Sequence, residues 1–260
     1  MIRLLRLFTR SFSLSLQREL AHRANLLFGL LMTLVQVSAG LATLAMLFTR
    51  IETLAGWSHA EVVILLGSFQ LITGLMESFV EPNLEWFSEK VTGGQLDDLL
   101  LQPVPSLFAV SLSSCRPLSL AQALLGLLLV GGGAAQVGTF RPDPVGAFAL
   151  LLLLGLVIAW ATRLLLASIA FWAPGLEASV LYFALWQLGR YPVSVYHRAV
   201  RWILTYTVPV AFVATLPTMA LTRGAGPGLV LSGLAMAAGA ALAARWVWLA
   251  GLRRYTGATS

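Results

Sequence analysis

The sequence predicts an all-α polytopic membrane protein, and three observations carry that reading. Of its 260 residues, 58% are hydrophobic and only 11% charged, whereas a soluble domain has roughly 45–50% apolar and roughly 25% charged residues. Uncharged apolar runs long enough to span a bilayer recur along the chain. The aromatic residues fall mostly at the ends of those runs, at Trp57, Trp86, Trp172, Tyr191, Trp202 and Trp248, where an interfacial belt belongs. Trp160 and Trp186 sit deeper, and packing is their default role.

The first element is basic and amphipathic. On a helical wheel Leu4, Phe8, Phe12, Leu16 and Leu20 share one side, and Arg3, Arg6, Arg10 and Gln17 the other. That pattern suits a helix lying in the membrane interface over residues 1–23. The run from Ala24 to Thr49 then has 26 residues without a charge. That is too long for the roughly 7–15 residues of a signal-peptide core and long enough to cross.

Six more runs follow: between Glu61 and Glu77, from Pro117 to Phe140, from Pro144 through Trp172 with Arg163 inside it, from Glu177 to Val195, from Trp202 to Thr222, and from Gly224 to Ala244. The chain ends argue against seven crossings. Arg3, Arg6, Arg10, Arg18 and Arg23 at the start, and Arg253 and Arg254 at the end, place both termini in the cytoplasm by the positive-inside rule. An even number of crossings is required. The weakest candidate is Trp202–Thr222, which carries Pro209 and Pro217 and follows "YHRAVRW"; prolines free backbone groups that lipid cannot satisfy. Six spans are therefore expected in one membrane domain (residues 1–260), with a re-entrant region at 197–222. Arg190, Arg198, Arg201 and Arg223 then fall towards the outer side. The formal charge of +6, from 16 Arg and one Lys against 11 acids, fixes orientation rather than binding nucleic acid. The single cysteine, Cys115, permits no internal disulfide.

Between the second and third spans lies "VTGGQLDDLLLQPVPSL". Gly93 and Gly94 break the preceding helix, and Pro103 and Pro105 stop the next one. Leu96, Leu99 and Leu100 share a face at helical spacing, with Asp97 and Asp98 pointing elsewhere. The segment reads either as a loop floating on the bilayer or as a short helix that docks a cytoplasmic partner. Two aspartates do not suit an anionic membrane surface, which favours the partner. Just before it, Glu77, Glu81, Glu85 and Glu89 recur every fourth residue. On one helix they form a slowly curving stripe, read as a helix leaving the bilayer. Glu77 is the deepest of them. It is the candidate for a substrate path and for a charge pair with Arg163, whose inner-half position also brings Glu81 within range. A lone charge at mid-membrane costs roughly 2.5–3.5 kcal/mol, so a partner is expected.

Several chemistries are excluded by missing residues. There is no G-x-x-x-x-G-K-[ST] phosphate loop, no H-E-x-x-H and no G-x-S-x-G. His22, His59 and His197 are far apart, so no metal site is expected. "LDDLLL" lacks the third acid of a magnesium-holding D-D-x-x-D motif, which weakens a membrane-embedded enzyme acting on lipid or isoprenoid. A secondary transporter would show interrupted helices in both halves; here only the C-terminal half does. No catalytic residue is assigned.

Over nearly its full length the chain resembles the membrane (permease) subunit of bacterial type 2 ABC exporters, within a subfamily of uncharacterised transport-system permeases. The resemblance rests on the basic amphipathic start, "LAGWSHAEV", "GGQLDDLLLQPVPSLF", "YPVSVYHRAVRWILTYTVPVAFVATLP" and "GLRRYTG". In the subfamily a pattern like G-x-L-D-x-x-L-L-x-P follows span two. Here Gly94, Leu96, Asp97, Leu99, Leu100 and Pro103 match it, with Leu99 shifted by the extra Asp98 and Gln102 in place of a common basic residue. The resemblance implies six spans with both ends in the cytoplasm of a bacterial inner membrane, and re-entrant helices between spans five and six. It implies that residues 92–106 form a coupling helix docking on a separate ATPase dimer, which binds the ATP and magnesium. A second permease, identical or paralogous, completes the translocation path. Gln70, Glu77 and Trp186 are the candidates for lining it.

Overall fold

The structure is a computed structural model describing residues 2–101, 103–138, 142–176 and 178–255, with no account of the side chains of residues 2–5 and 142. Arg3 and Leu4 as side chains, and Gln102, Phe140, Glu177, Thr256 and Gly257, therefore lie outside the described residues.

The described chain is helical. Helix α1 (Ile2–Ala21) is followed without a loop by α2 (Arg23–Phe48), and α3 (His59–Phe79) returns. Four short helices come next: α4 (Glu81–Leu84), α5 (Phe87–Thr92), α6 (Gln95–Leu100) and α7 (Ser106–Leu112). Helices α8 (Leu120–Val137) and α9 (Pro142–Ser168) form a second long pair. Then come α10 (Ala178–Gln187), α11 (Arg198–Trp202), α12 (Thr215–Arg223) and α13 (Pro227–Arg254). Among the described residues five segments are long and apolar enough to cross a membrane: α2, α3, α8 with the turn before it, α9 and α13.

Small residues decide how closely α3 and α8 approach. A Cβ on Gly74 would stand 2.4 Å from Ala123 N, and one on Gly126 2.4 Å from Leu71 N. Gly67 and Gly133 meet their partner helix in the same way. Lipid tails are as apolar as leucine, so such helices associate by close backbone packing rather than by exclusion of water. Of the "GGG" triplet, Gly133 is pressed against α3 while Gly131 and Gly132 face open space.

The expected fifth span is not one helix. α10 ends at Gln187, tightens into a 3-10 turn over Leu188–Arg190 and breaks at Tyr191, which is extended (φ −120°, ψ 153°). Pro192 causes the break, because its ring disfavours helical backbone at the residue before it. The segment between α9 and α13 nevertheless runs between opposite ends of the molecule. α9 ends beside α5, where Phe171 meets Phe87. α13 starts at the opposite end, just after Arg223 has joined Glu61 near the start of α3. Trp202–Thr222 is likewise broken, into α11, a π-helical turn (Ile203–Thr207), a 3-10 turn (Val210–Phe212) and α12. Pro209 stands at the break, whereas Pro217 lies in the first turn of α12, where a missing N–H costs nothing.

Two expectations about the aromatic belt are corrected. Trp248 and Trp57 are buried. Trp248 packs between Phe87 and Phe171 in the core, at centroid distances of 5.7 and 5.4 Å, and Trp57 donates from its indole to Ser194 Oγ (3.0 Å). Trp86, Trp172 and Trp202 are exposed.

Candidate functional site

The stripe of glutamates does not form, because the helix that would carry it breaks twice. Pro82 at the start of α4 ends α3, and Trp86 takes a left-handed conformation (φ 58°) between α4 and α5. A bulky residue with positive φ is strained backbone. The four acids consequently reach different surroundings. Glu81 is buried against Arg163, Glu85 pairs with Arg116, Glu89 is exposed, and Glu77, half-buried, closes no ion pair among the described residues.

The pairing of Arg163 is thus with Glu81 rather than Glu77. Arg163 Nε donates to Glu81 Oε1 and Oε2 at 3.1 and 2.9 Å, and Nη2 donates to the Leu84 carbonyl (3.0 Å) and to Ser179 Oγ (3.3 Å). The guanidinium lies over the rings of Tyr182 and Phe183 at 5.2 and 5.8 Å. Arg163 is fully buried, so this cluster ties α9, α4 and α10 into one unit. Burying an ion pair is costly unless its remaining donors are hydrogen-bonded; the Leu84 and Ser179 contacts satisfy Nη2, while Nη1 closes no hydrogen bond among the described residues.

Asn83, two residues on, had no signal in the sequence beyond following Pro82. Its Nδ2 lies 2.8, 3.0 and 2.9 Å from the carbonyls of Phe79, Ser111 and Ser114. Its Oδ1 accepts from Ser113 Oγ (2.9 Å) and Ser114 N (2.8 Å). One amide thus pins the end of α7 to the end of α3. Lys90 Nζ donates to the Asn83 carbonyl (2.8 Å), and burial pushes the Lys90 ammonium down against the pull of Glu85. Two indoles hold the same platform from the long helices: Trp160 Nε1 donates to Ser111 Oγ (2.9 Å) and Trp248 Nε1 to Ser106 Oγ (3.1 Å).

Helix α6 sits on this platform. Gly94, left-handed at φ 73°, starts it, a conformation that suits glycine. Leu96 is fully buried and Leu99 half-buried, so these two anchor the helix. Leu100, expected on the same face, is instead exposed. With Asp98, Pro103 and the 83%-exposed Leu101 it forms the outward surface. Asp97 turns sideways to Tyr255. The Tyr255 hydroxyl closes no hydrogen bond, yet burial first and Asp97 second raise its pKa. The end of α13 and the start of the chain lie at this same end of the molecule, the latter through Phe8 and Phe12 of α1 against Phe79 (5.7 and 6.4 Å).

The residues proposed to line a path sit on one side of α3. Trp186 is buried and donates to Thr73 Oγ1 (3.0 Å), stacked against Tyr182 and tilted against Phe69. It serves as a packing pin between α10 and α3. Gln70 accepts from Gln122 Nε2 of α8 (3.3 Å) and also lines a pocket with Gln36 and Arg190. Glu77 lies nearly two turns further along. Arg190, expected towards the outer side, reaches inward so that its guanidinium stands 5.9 Å over Phe69, midway along α3. Its sequence signal was a lone charge inside an apolar run. Among the described residues no three of His, Cys, Asp and Glu are grouped closely enough to hold a metal ion.

No curated protein and no solved structure matches the chain. A family model described as "ABC-2 family transporter protein" matches residues 34–259. That span covers every long apolar helix except the first turns of α2, together with the platform and the broken helices. The chain is therefore a multi-pass membrane protein that belongs to the ABC-2 family of transporter proteins.

Proposed function

We propose that the protein is the permease subunit of an ATP-driven exporter in a bacterial inner membrane. It crosses six times, with the broken segment 178–195 as the fifth crossing and residues 197–222 as a re-entrant hairpin on the outer side. Both ends lie in the cytoplasm with α6. In this reading α6 is the coupling helix, presenting Asp98, Leu100, Leu101 and Pro103 to a separate ATPase dimer that binds ATP and magnesium. A second permease, identical or paralogous, faces this one across the translocation path.

The observation that carries the reading is the way the α4–α7 platform is held. It projects from one end of the bundle, yet Arg163 and Trp160 of α9 and Trp248 of α13 all bond to it, and Ser179 of α10 joins it only through Arg163. A push on α6 is thereby delivered to two long helices at once, α9 and α13. Coupling of this kind travels through packed contacts and hydrogen-bond networks.

The test is a tagged purification in mild detergent of wild type beside Asp98→Lys/Leu101→Lys, which leaves the buried Leu96 anchor intact. An ATPase that accompanies the wild type and is lost from a monodisperse variant supports the docking role. An ATPase retained by both moves the contact away from α6, and its absence from both removes the permease reading.

A further inference from the structure

A pocket of about 270 Å³ opens between α2, α3 and the turn that follows α10. Its polar lining is Gln36, Thr43, Gln70, Tyr191 and Arg190, and Leu44 and Leu66 supply apolar wall. Arg190 is the unusual member. Its Nε is buried without a hydrogen-bond partner, and among the described residues its guanidinium forms neither a hydrogen bond nor an ion pair. Glu77 lies within electrostatic reach but closes no contact, so the cation has no fixed counter-ion. Phe69 supports the guanidinium from one side.

The contrast with the other intramembrane arginine is instructive. Arg163 commits Nε and Nη2 to Glu81, Leu84 and Ser179 and leaves only Nη1 without a partner among the described residues. Arg190, beside the middle of α3, keeps a forked set of donors unused in an open pocket. An ionisable group at such depth is expected to have a partner, and a guanidinium matches the two oxygens of a carboxylate or phosphate. The neutral amides of Gln36 and Gln70 add hydrogen bonds without opposing charge. The apolar wall and the exposed flank of α2 beside it suit an alkyl chain rather than a fully hydrated ion.

We propose that this pocket binds the anionic head group of an amphiphile, with Arg190 as its charge partner, and that the exported substrate is of this class. The assignment rests on the transport reading. The test uses the purified full-length protein in a neutral maltoside detergent, titrated with dodecyl phosphate, dodecyltrimethylammonium or inorganic phosphate and read by intrinsic tryptophan fluorescence and thermal shift.

Saturable binding of dodecyl phosphate, and of neither other probe, is the expected result. Arg190→Gln weakens it by about tenfold or more, as loss of a desolvated charge partner does. Arg190→Lys weakens it by about threefold, keeping the charge but losing the fork. Gln36→Glu lies on the exposed face of α2, leaves the fold intact and weakens dodecyl phosphate by repulsion. Equal binding of the cationic probe overturns the inference, as does dodecyl phosphate binding indifferent to both Arg190→Gln and Gln36→Glu. Inorganic phosphate competing with equal affinity overturns the amphiphile as occupant in favour of a free anion. The same preparations are assayed for a co-purifying ATPase. An ATPase present without dodecyl phosphate binding overturns this inference alone, whereas its absence removes the transport reading whatever the pocket binds.

Discussion

Helices α2 and α3 are nearly equally apolar over their most apolar stretch, yet 11% of that stretch is buried in α2 and 78% in α3. The difference lies in what the polar and small residues do. In α3, Gln70 bonds to Gln122, Thr73 accepts from Trp186, and Gly67 and Gly74 admit the backbone of α8. In α2, Thr33 and Thr43 return their hydroxyls to their own helix, at Gly29 and Ala39 carbonyls, and a Cβ on Gly29 meets nothing within 4 Å. Hydropathy thus identifies both as spans, and the bonding of their minority residues separates a central helix from a peripheral one. In the proposed assembly, lipid and the second permease cover the flank of α2.

The largest expected effect comes from cutting the tether between α9 and α4, the short helix that follows α3. Arg163→Leu leaves Glu81 buried without its partner, and breaking such a pair costs about 3–5 kcal/mol. Glu81→Leu strands Arg163 in turn. Thermal unfolding followed by size-exclusion chromatography should show the double substitution costing less than the sum of the two. Arg163→Leu with Glu77→Leu should instead be additive, since those residues do not touch. Full additivity with Glu81 would break the account of the tether.

Next comes the α3–α8 seam. Gly74→Leu places a side chain against Ala123 backbone, which has no flexible end to yield, and overpacking of this kind costs about 3 kcal/mol. Gly29→Leu on α2 should change stability by less than about 0.5 kcal/mol, as for surface sites without special contacts. Equal losses from the two would show that α2 is as firmly packed as α3. Asn83→Ala follows, releasing the Ser111–Ser114 segment at a cost of about 1–3 kcal/mol. Through α7 it should also loosen α6, read as faster proteolysis at the α6–α7 loop.

How far the sequence foretold this molecule depended on the range of the interaction. Apolar runs report length directly, so α2, α3, α8, α9 and α13 were legible, and so was the short element at Gly94–Pro103, because glycine and proline act on their own neighbours. The break of Trp202–Thr222 was visible from Pro209. The break after Gln187 was less so: Pro192 lay close to the expected end of that span, and the pressure of Phe69 and Val210 on Gly189 is a tertiary contact. The glutamate stripe misled because periodicity assumes one continuous helix, whereas Pro82 and the strained Trp86 divide it into three. Asn83 was invisible, since an asparagine in a turn looks the same whether it bonds to water or joins two elements. Which leucines of α6 face outward depended on the buried cluster that Leu96 joins, with Phe87 and Trp248 among its members, which no local pattern contains.

The smallest effect sharpens the comparison at the helix starts. α3 opens with a capping box: Glu61 N donates to Ser58 Oγ (3.3 Å) and Ser58 N to Glu61 Oε2 (2.8 Å). The same carboxylate then accepts from Arg223 Nε (2.9 Å) and Thr222 Oγ1 (3.2 Å). α2 follows His22, whose side chain makes no cap bond to it. Ser58→Ala should therefore cost about 1 kcal/mol, the usual value of an N-cap, while His22→Ala leaves the unfolding temperature unchanged. Because Glu61 also anchors α12, adding Arg223→Gln to Ser58→Ala should deepen the loss by removing the Arg223 partner of the carboxylate, while the backbone N–H of residue 58 and Thr222 Oγ1 still donate to it. A Ser58→Ala variant as stable as wild type would mean that packing against α8 alone sets where α3 begins. The distinction between the two helices would then reside wholly in their flanks and not in their ends.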